Sequence, residues 1–318
     1  MIRAFVLLAL APAQAGAFSL SFPLECTLGE TCHIQQFMDR DPGPGHTDFT
    51  CGPLSYDGHS GTDFALPTLS AMQKGVQVLA AAPGIVKDMR NGMPDISIRD
   101  PAAPDLEGRE CGNGLVLEHA EGWTTQYCHM ARDSLRVTRG QVVQAGQVLG
   151  LVGLSGNTEF PHLHLTLRRN GVAIDPFDPD GTTTCGAGPA PPLWSGDVPY
   201  TPGGLLGIGL SDRVPDYEGL KAGLPLAPVT SRAPALVIWA HYFGAQQGDV
   251  LTLSILGPDG GQIIAQDVTL DRTQAQGFRA IGRRLRGADW PVGDYQLSVT
   301  WRRGAALIDQ SQSVYTLR

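Results

Sequence analysis

What most restricts the fold of this chain is the lack of any sustained helical spacing of apolar residues. From Gly75 onward, short apolar runs alternate with turns: "GVQVLAAAPGIV", "GNGLVLEH", "WTTQYCHM", "VTRGQVVQAGQVLGLVGLSGN" and "HLHLTLRRNGVAIDP". Forty glycines and 24 prolines cut the sequence too often for long helices and suit short strands. "AEG" (120–122) joins two strand candidates, and Asn170-Gly171 predicts a hairpin with a type I′ turn. The sequence reads as all-β.

At 318 residues the chain is long enough for two domains. The Pro/Gly-rich stretch 185–204 has no period and is expected to link them. Beyond it, runs such as "PALVIWAHYF", "DVLTLSILGPDGGQII" and "DYQLSVTWRRGAALID" alternate at the short, regular spacing of a β-sandwich, plausibly immunoglobulin-like, over 205–318. His241 is the only histidine there, is expected to pack beside Tyr242, and has no catalytic company.

The first residues read as a signal peptide, 1–17: Arg3, the apolar run "AFVLLAL" and the small residues "AGA", leaving a mature start at Phe18. No later run approaches the roughly 18 apolar residues of a membrane helix, so no membrane span is expected and export is. Six cysteines fit an oxidising compartment; no CxxC pair points to a cysteine-based metal site, and of the 15 possible pairings Cys111–Cys128 is preferred because both flank adjacent strand candidates. A net charge of −8 argues against nucleic acid as a partner.

Chemistry concentrates in the histidines. In "FPHLHLTLR" (160–168), His162 and His164 fall on one face of a strand while Leu163 faces the other way. Alone, an HxH pair is weak evidence for a metal. In "YDGHSGTDFAL" (56–66), His59 and Asp63 flank the turn-permitting Gly61. One imidazole, one carboxylate and a nitrogen from the HxH pair make a three-ligand set with a fourth position open, as a catalytic zinc site requires. The plainer alternative is an exposed His59 and an Asp63 that caps a turn. His129, at the end of "TTQYCHM", offers a further imidazole; His33 and His46 are expected on the surface.

Taken together, these segments resemble the lysostaphin/LytM-type zinc metallopeptidases. "HSGTDFA" is similar to their HxGxDxA signature and "PHLHLTLR" to their HxH strand. "GVQVLAAAPGIV", the strand pair ending in "YCHM", the glycine-rich approach to the HxH and "NGVAIDPFDP" follow in the family's order. The resemblance covers about residues 55–180. It implies an antiparallel β-sheet peptidase domain over 55–184, with 18–54 packed on it as an N-terminal segment. It makes His59, Asp63 and His164 the ligands of one Zn2+ per chain, and His162 and His129 the unliganded catalytic histidines beside the activated water.

The implied activity is hydrolysis of peptide cross-links in bacterial peptidoglycan, with peptidoglycan peptide stems as the partner and the periplasm preferred over the extracellular medium. The competing expectation is a catalytically silent relative that binds and activates a cell-wall amidase, but such relatives lack ligands, and here all five positions are filled. The insertion at 90–114 is expected to overhang the cleft.

Overall fold

The computed structural model describes residues 17–181 and 191–318. The expected signal peptide (all but its last residue) and the first part of the linker, with Cys185, lie outside the described residues. Regular structure is almost entirely antiparallel β, as the punctuated sequence requires.

The main sheet has eight strands. In spatial order they run His33–Gln36, Thr62–Ala65, His162–Arg169, Trp123–Met130, Asn113–Glu118, Gly84–Arg90 and Val142–Val143, with Val172–Ile174 also paired to His162–Arg169. Along His162–Arg169 the period of two divides the two faces. Leu163, Leu165 and Leu167 enter a core shared with Phe64, Leu117 and Tyr127, whereas His162, His164 and Thr166 turn to the other side. Each fully buried leucine contributes about 1.5–3 kcal/mol, so slipping the register by one residue would exchange core for site and is strongly resisted. Asn170 and Gly171 both have positive φ (51° and 85°), as a type I′ turn needs.

Chain from both sides of the main sheet joins the same core. Leu20, Leu24, Phe37 and Phe49 are buried in it, and so is Trp194. Cys26–Cys32 and Cys111–Cys128 are disulfides, the second as expected from the sequence, and Cys51 is disulfide-bonded too.

From Gly204 two further sheets face each other over a second core. One has Ala235–Ala245 between Gly204–Ser211 and Gln274–Arg284. The other runs Gln262–Thr269, Val250–Leu256, Gly293–Arg303 and Ala306–Leu317. Leu236, Ile238, Leu253, Val299 and Trp301 fill the space between them, which makes a β-sandwich.

Among the described residues two short α-helices interrupt the β pattern, each too brief to show a helical period. Leu69–Gln73 is capped by Thr68; Tyr217–Ala222 starts at Asp216, whose carboxylate accepts from Gly219 N, and ends at Gly223 with φ 72°. Among the described residues no helix is long and apolar enough to cross a membrane.

His33 departs from its expected surface position. It is buried, with Nε2 3.0 Å from Gln35 Oε1 and its ring 4.3 Å from that of Phe243 in the sandwich. Nothing in the local sequence records the domain that covers this strand. His241 is buried against Tyr217, at 5.8 Å, while its neighbour Tyr242 points into the sandwich core.

Candidate metal centre and catalytic cleft

The site grows from one register. Thr62–Ala65 pairs with His162–Arg169 so that Asp63 lies opposite His164 and Ala65 opposite His162. His59 comes from the preceding loop, four residues before Asp63. The approach is tight at Gly61, where a Cβ would lie 2.6 Å from Leu165 O and 2.7 Å from His164 Nε2, so only glycine lets the loop close over the strand.

His59 Nε2, Asp63 Oδ1 and His164 Nδ1 converge. His59 Nε2 lies 3.2 Å from Asp63 Oδ1 and 3.1 Å from His164 Nδ1, and the last two atoms are 2.8 Å apart. His162 Nε2 is 3.4 Å from the same carboxylate oxygen.

Backbone carbonyls set the imidazole tautomers. His59 Nδ1 donates to Phe37 O (2.6 Å), His129 Nδ1 to Ser155 O (2.8 Å) and His162 Nδ1 to Phe160 O (2.9 Å). Because a carbonyl only accepts, each Nδ1 carries the hydrogen, and each neutral ring then presents a bare Nε2. His164 is held at its other nitrogen by Thr166 Oγ1, 3.0 Å away, which frees Nδ1 for Asp63.

His129 is reached by strain. It sits at the end of Trp123–Met130 with φ 59°, a region that costs a non-glycine residue about 1–2 kcal/mol. Its N–H donates to Cys111 O at 2.8 Å and its C=O accepts from Gly153 N at 3.0 Å. The Cys111–Cys128 disulfide lies one residue away. Its ring stands 4.6 Å from His162 and 6.0 Å from His164, centroid to centroid.

The electrostatics favour a cation among these groups. Burial would raise the Asp63 carboxyl, but the imidazoles of His59 and His162 hold it well below the usual carboxylate range. Burial also opposes charge on His59, yet Asp63 beside it lifts its pKa above the ordinary value. His164 is lowered, burial outweighing Asp63, and His129 is pushed well down by burial and by its imidazole neighbours. One carboxylate oxygen and two imidazole nitrogens converge as a donor set that could hold a metal ion, of ligand types that suit a divalent ion of the zinc class.

The five histidine and aspartate positions singled out in the sequence are therefore brought together. His119 is not among them: it bonds Pro83 O and Thr125 Oγ1 elsewhere in the sheet. The sequence did not mark three other neighbours. Tyr56 stacks on His59 at 4.4 Å, Thr166 orients His164, and Gln36, opposite Asp63 in register, lines the cleft with a buried Oε1 that has no partner. Tyr56 lies within "YDGHSGTD", but nothing in residue type gave it a role.

Asp63, His129 and His162 line a cleft of about 760 Å³, bordered by Ile98 of the insertion and by Tyr217, Lys221 and Gln274 of the sandwich.

Residues 57–176 match the model of peptidase family M23. The peptidoglycan DD-endopeptidase ShyA of Vibrio cholerae serotype O1 is 34% identical over 117 residues, 37% of this chain and 22% of that protein. The DD-carboxypeptidase/endopeptidase Mpg of Neisseria meningitidis serogroup B is 31% identical over 120 residues, again 37% of this chain and 22% of the relative. This chain thus spans less than a quarter of the length of these relatives. A zinc-containing peptidase from Vibrio cholerae, known by crystal structure, is 25% identical over 49% of this chain and 39% of its own, with a TM-score of 0.34. On the family match and the ordered motifs that carry it, residues 57–176 are a domain of peptidase family M23, the lysostaphin/LytM type.

Proposed function

We propose that this protein is an exported zinc-dependent endopeptidase that hydrolyses peptide cross-links of bacterial peptidoglycan, in the periplasm rather than the medium. The observation that carries the reading is the convergence of His59 Nε2, Asp63 Oδ1 and His164 Nδ1 beside two imidazoles, each fixed through Nδ1 on a backbone carbonyl. The DD-endopeptidase relatives support the substrate class.

His59, Asp63 and His164 are the residues that would hold the zinc. When bound there, zinc supplies a Lewis acid for the scissile carbonyl and lowers the pKa of water towards about 7. The chain does the rest. His162, fixed through Nδ1 on Phe160 O, takes the proton of the attacking water at Nε2. His129, fixed on Ser155 O with its ring 4.6 Å from that of His162, steadies the developing oxyanion or passes a proton to the leaving amine. Both rings are oriented in advance through Nδ1 on backbone carbonyls, so no ring rotation precedes the transfer. The bond proposed is the D-alanyl–diaminopimelate cross-link.

The test is mass spectrometry of muropeptides from purified sacculi digested with the zinc-loaded protein, with and without chelator. Cross-linked dimers should disappear only when zinc is present. Dimers persisting with zinc bound would overturn the reading and favour a silent regulator of an amidase.

A further inference from the structure

One wall of the cleft comes from the C-terminal sandwich. Gln35 Nε2 donates to Ala275 O (2.6 Å), and Gln276 Nε2 donates to Gln35 Oε1 (2.9 Å). These bonds clamp the start of strand Gln274–Arg284 to strand His33–Gln36, the neighbour of the strand that carries Asp63. Helix Tyr217–Ala222 borders the same cleft. On the opposite side the insertion is held in place by Ile98 N, which donates to Thr158 O at 2.9 Å. A second cavity of about 360 Å³ continues the cleft, sharing Glu159, Phe160, Lys221 and Gln276 with it and reaching Ser97 and Arg99 of the insertion. Together they form a groove leading away from His162, with the insertion on one side and the sandwich on the other.

The charges along this groove are unequal in availability. Among the described residues lining the larger cleft, Lys221 is the only lysine or arginine. Asp63 is committed to the histidines, whereas Glu159 makes only an exposed, weak pair with Arg99, 2.7 Å away, at the smaller cavity. Lys221 Nζ lies 5.0 Å over the Tyr217 ring and 2.7 Å from Glu218 Oε1. Glu218 is 74% exposed and three residues back on the same helix. Such a surface pair is weak, so a carboxylate arriving in the groove can displace Glu218 from the ammonium.

We propose that this groove holds one peptide branch of the substrate and that Lys221 pairs with a free carboxylate on it, which makes the sandwich a specificity element of the active site. The proposal rests on the hydrolase reading above for the nature of the peptide, and its test separates the two.

Binding is measured by isothermal titration calorimetry on the full, zinc-loaded chain carrying His162→Ala, with a purified cross-linked muropeptide dimer and the same dimer with its carboxylates amidated. Turnover of both dimers is measured on the full chain without that change. The free-carboxylate dimer should bind about tenfold tighter than the amidated one. Lys221→Met should abolish that difference and raise KM with little change in kcat, and Lys221→Arg should restore both. Preserved discrimination in Lys221→Met, alongside normal turnover, overturns the role of Lys221 and leaves the hydrolase reading intact. Lys221-dependent binding without turnover supports the groove and overturns the hydrolase reading. Failure of both dimers to bind overturns the groove.

Discussion

Asp63 and His164 face each other across two antiparallel strands, and the carboxylate oxygen of one lies 2.8 Å from Nδ1 of the other. Asp63 Oδ1 also lies within 3.4 Å of His59 Nε2 and His162 Nε2, so a single oxygen ties together a loop, two strands and three imidazoles.

Asp63→Ala and His164→Ala should therefore lose both zinc and activity. His162→Ala should keep zinc near one equivalent per chain while kcat falls on the order of 10²–10⁴-fold. Metal analysis of the purified variants, run beside turnover, separates ligand from catalyst. Loss of zinc in His162→Ala would remove the distinction between the two histidines of the pair.

Gly61→Ala places a methyl group against Leu165 O and His164 Nε2, neither of which can move without disturbing the pairing beneath. The expected cost is about 1–3 kcal/mol of stability, with zinc affinity reduced because His164 is displaced. Urea unfolding and competition with a chelator measure the two effects. An unchanged zinc affinity would mean that the loop relaxes away from the strand.

Replacing Cys111 and Cys128 together by serine opens a loop of 17 residues beside His129. Chain entropy alone should cost about 3 kcal/mol. Turnover should fall further than stability explains at temperatures where the variant remains folded, because His129 holds a left-handed backbone against that bond. Thermal unfolding and kcat, compared with and without the pair, test this.

His33 gives the expected acid response. Its pKa is lowered to about 4, first by burial, then by His241, with Gln35 working the other way. In the unfolded chain it returns to about 6.5. Below that value the unfolded state binds a proton that the folded state refuses, so stability rises with pH across this window. The contribution is complete above about pH 6.5 and is lost progressively as pH falls towards 4, on the order of 3 kcal/mol in all. Urea midpoints at pH 7 and 4.5 should differ more for the native chain than for His33→Gln; equal differences would assign the acid response to other groups.

The sequence made the HxH strand readable because a period of two is enough to place His162 and His164 on one face. It could not separate their roles. Those depend on which ring nitrogen finds an acceptor, and Phe160 O and Thr166 Oγ1 decide that only after folding. Likewise Gly61 reads as a turn former, whereas its closest constraint is a neighbour about a hundred residues away. Lys221, Gln36 and His33 were silent for a different reason. Their surroundings come from the packing of one domain on the other, which no local pattern records.

The three carbonyls beneath His59, His129 and His162 belong to Phe37, Ser155 and Phe160, and none of them is a side-chain group. For these three rings, though not for His164 on Thr166 Oγ1, the tautomer is thus written in the main chain. Side chains around the cleft, Phe160 among them, can be exchanged to reshape what the groove admits while each imidazole keeps its hydrogen on the same nitrogen. Selectivity and proton chemistry are separable variables in this scaffold, and a designer can change the first without rewriting the second.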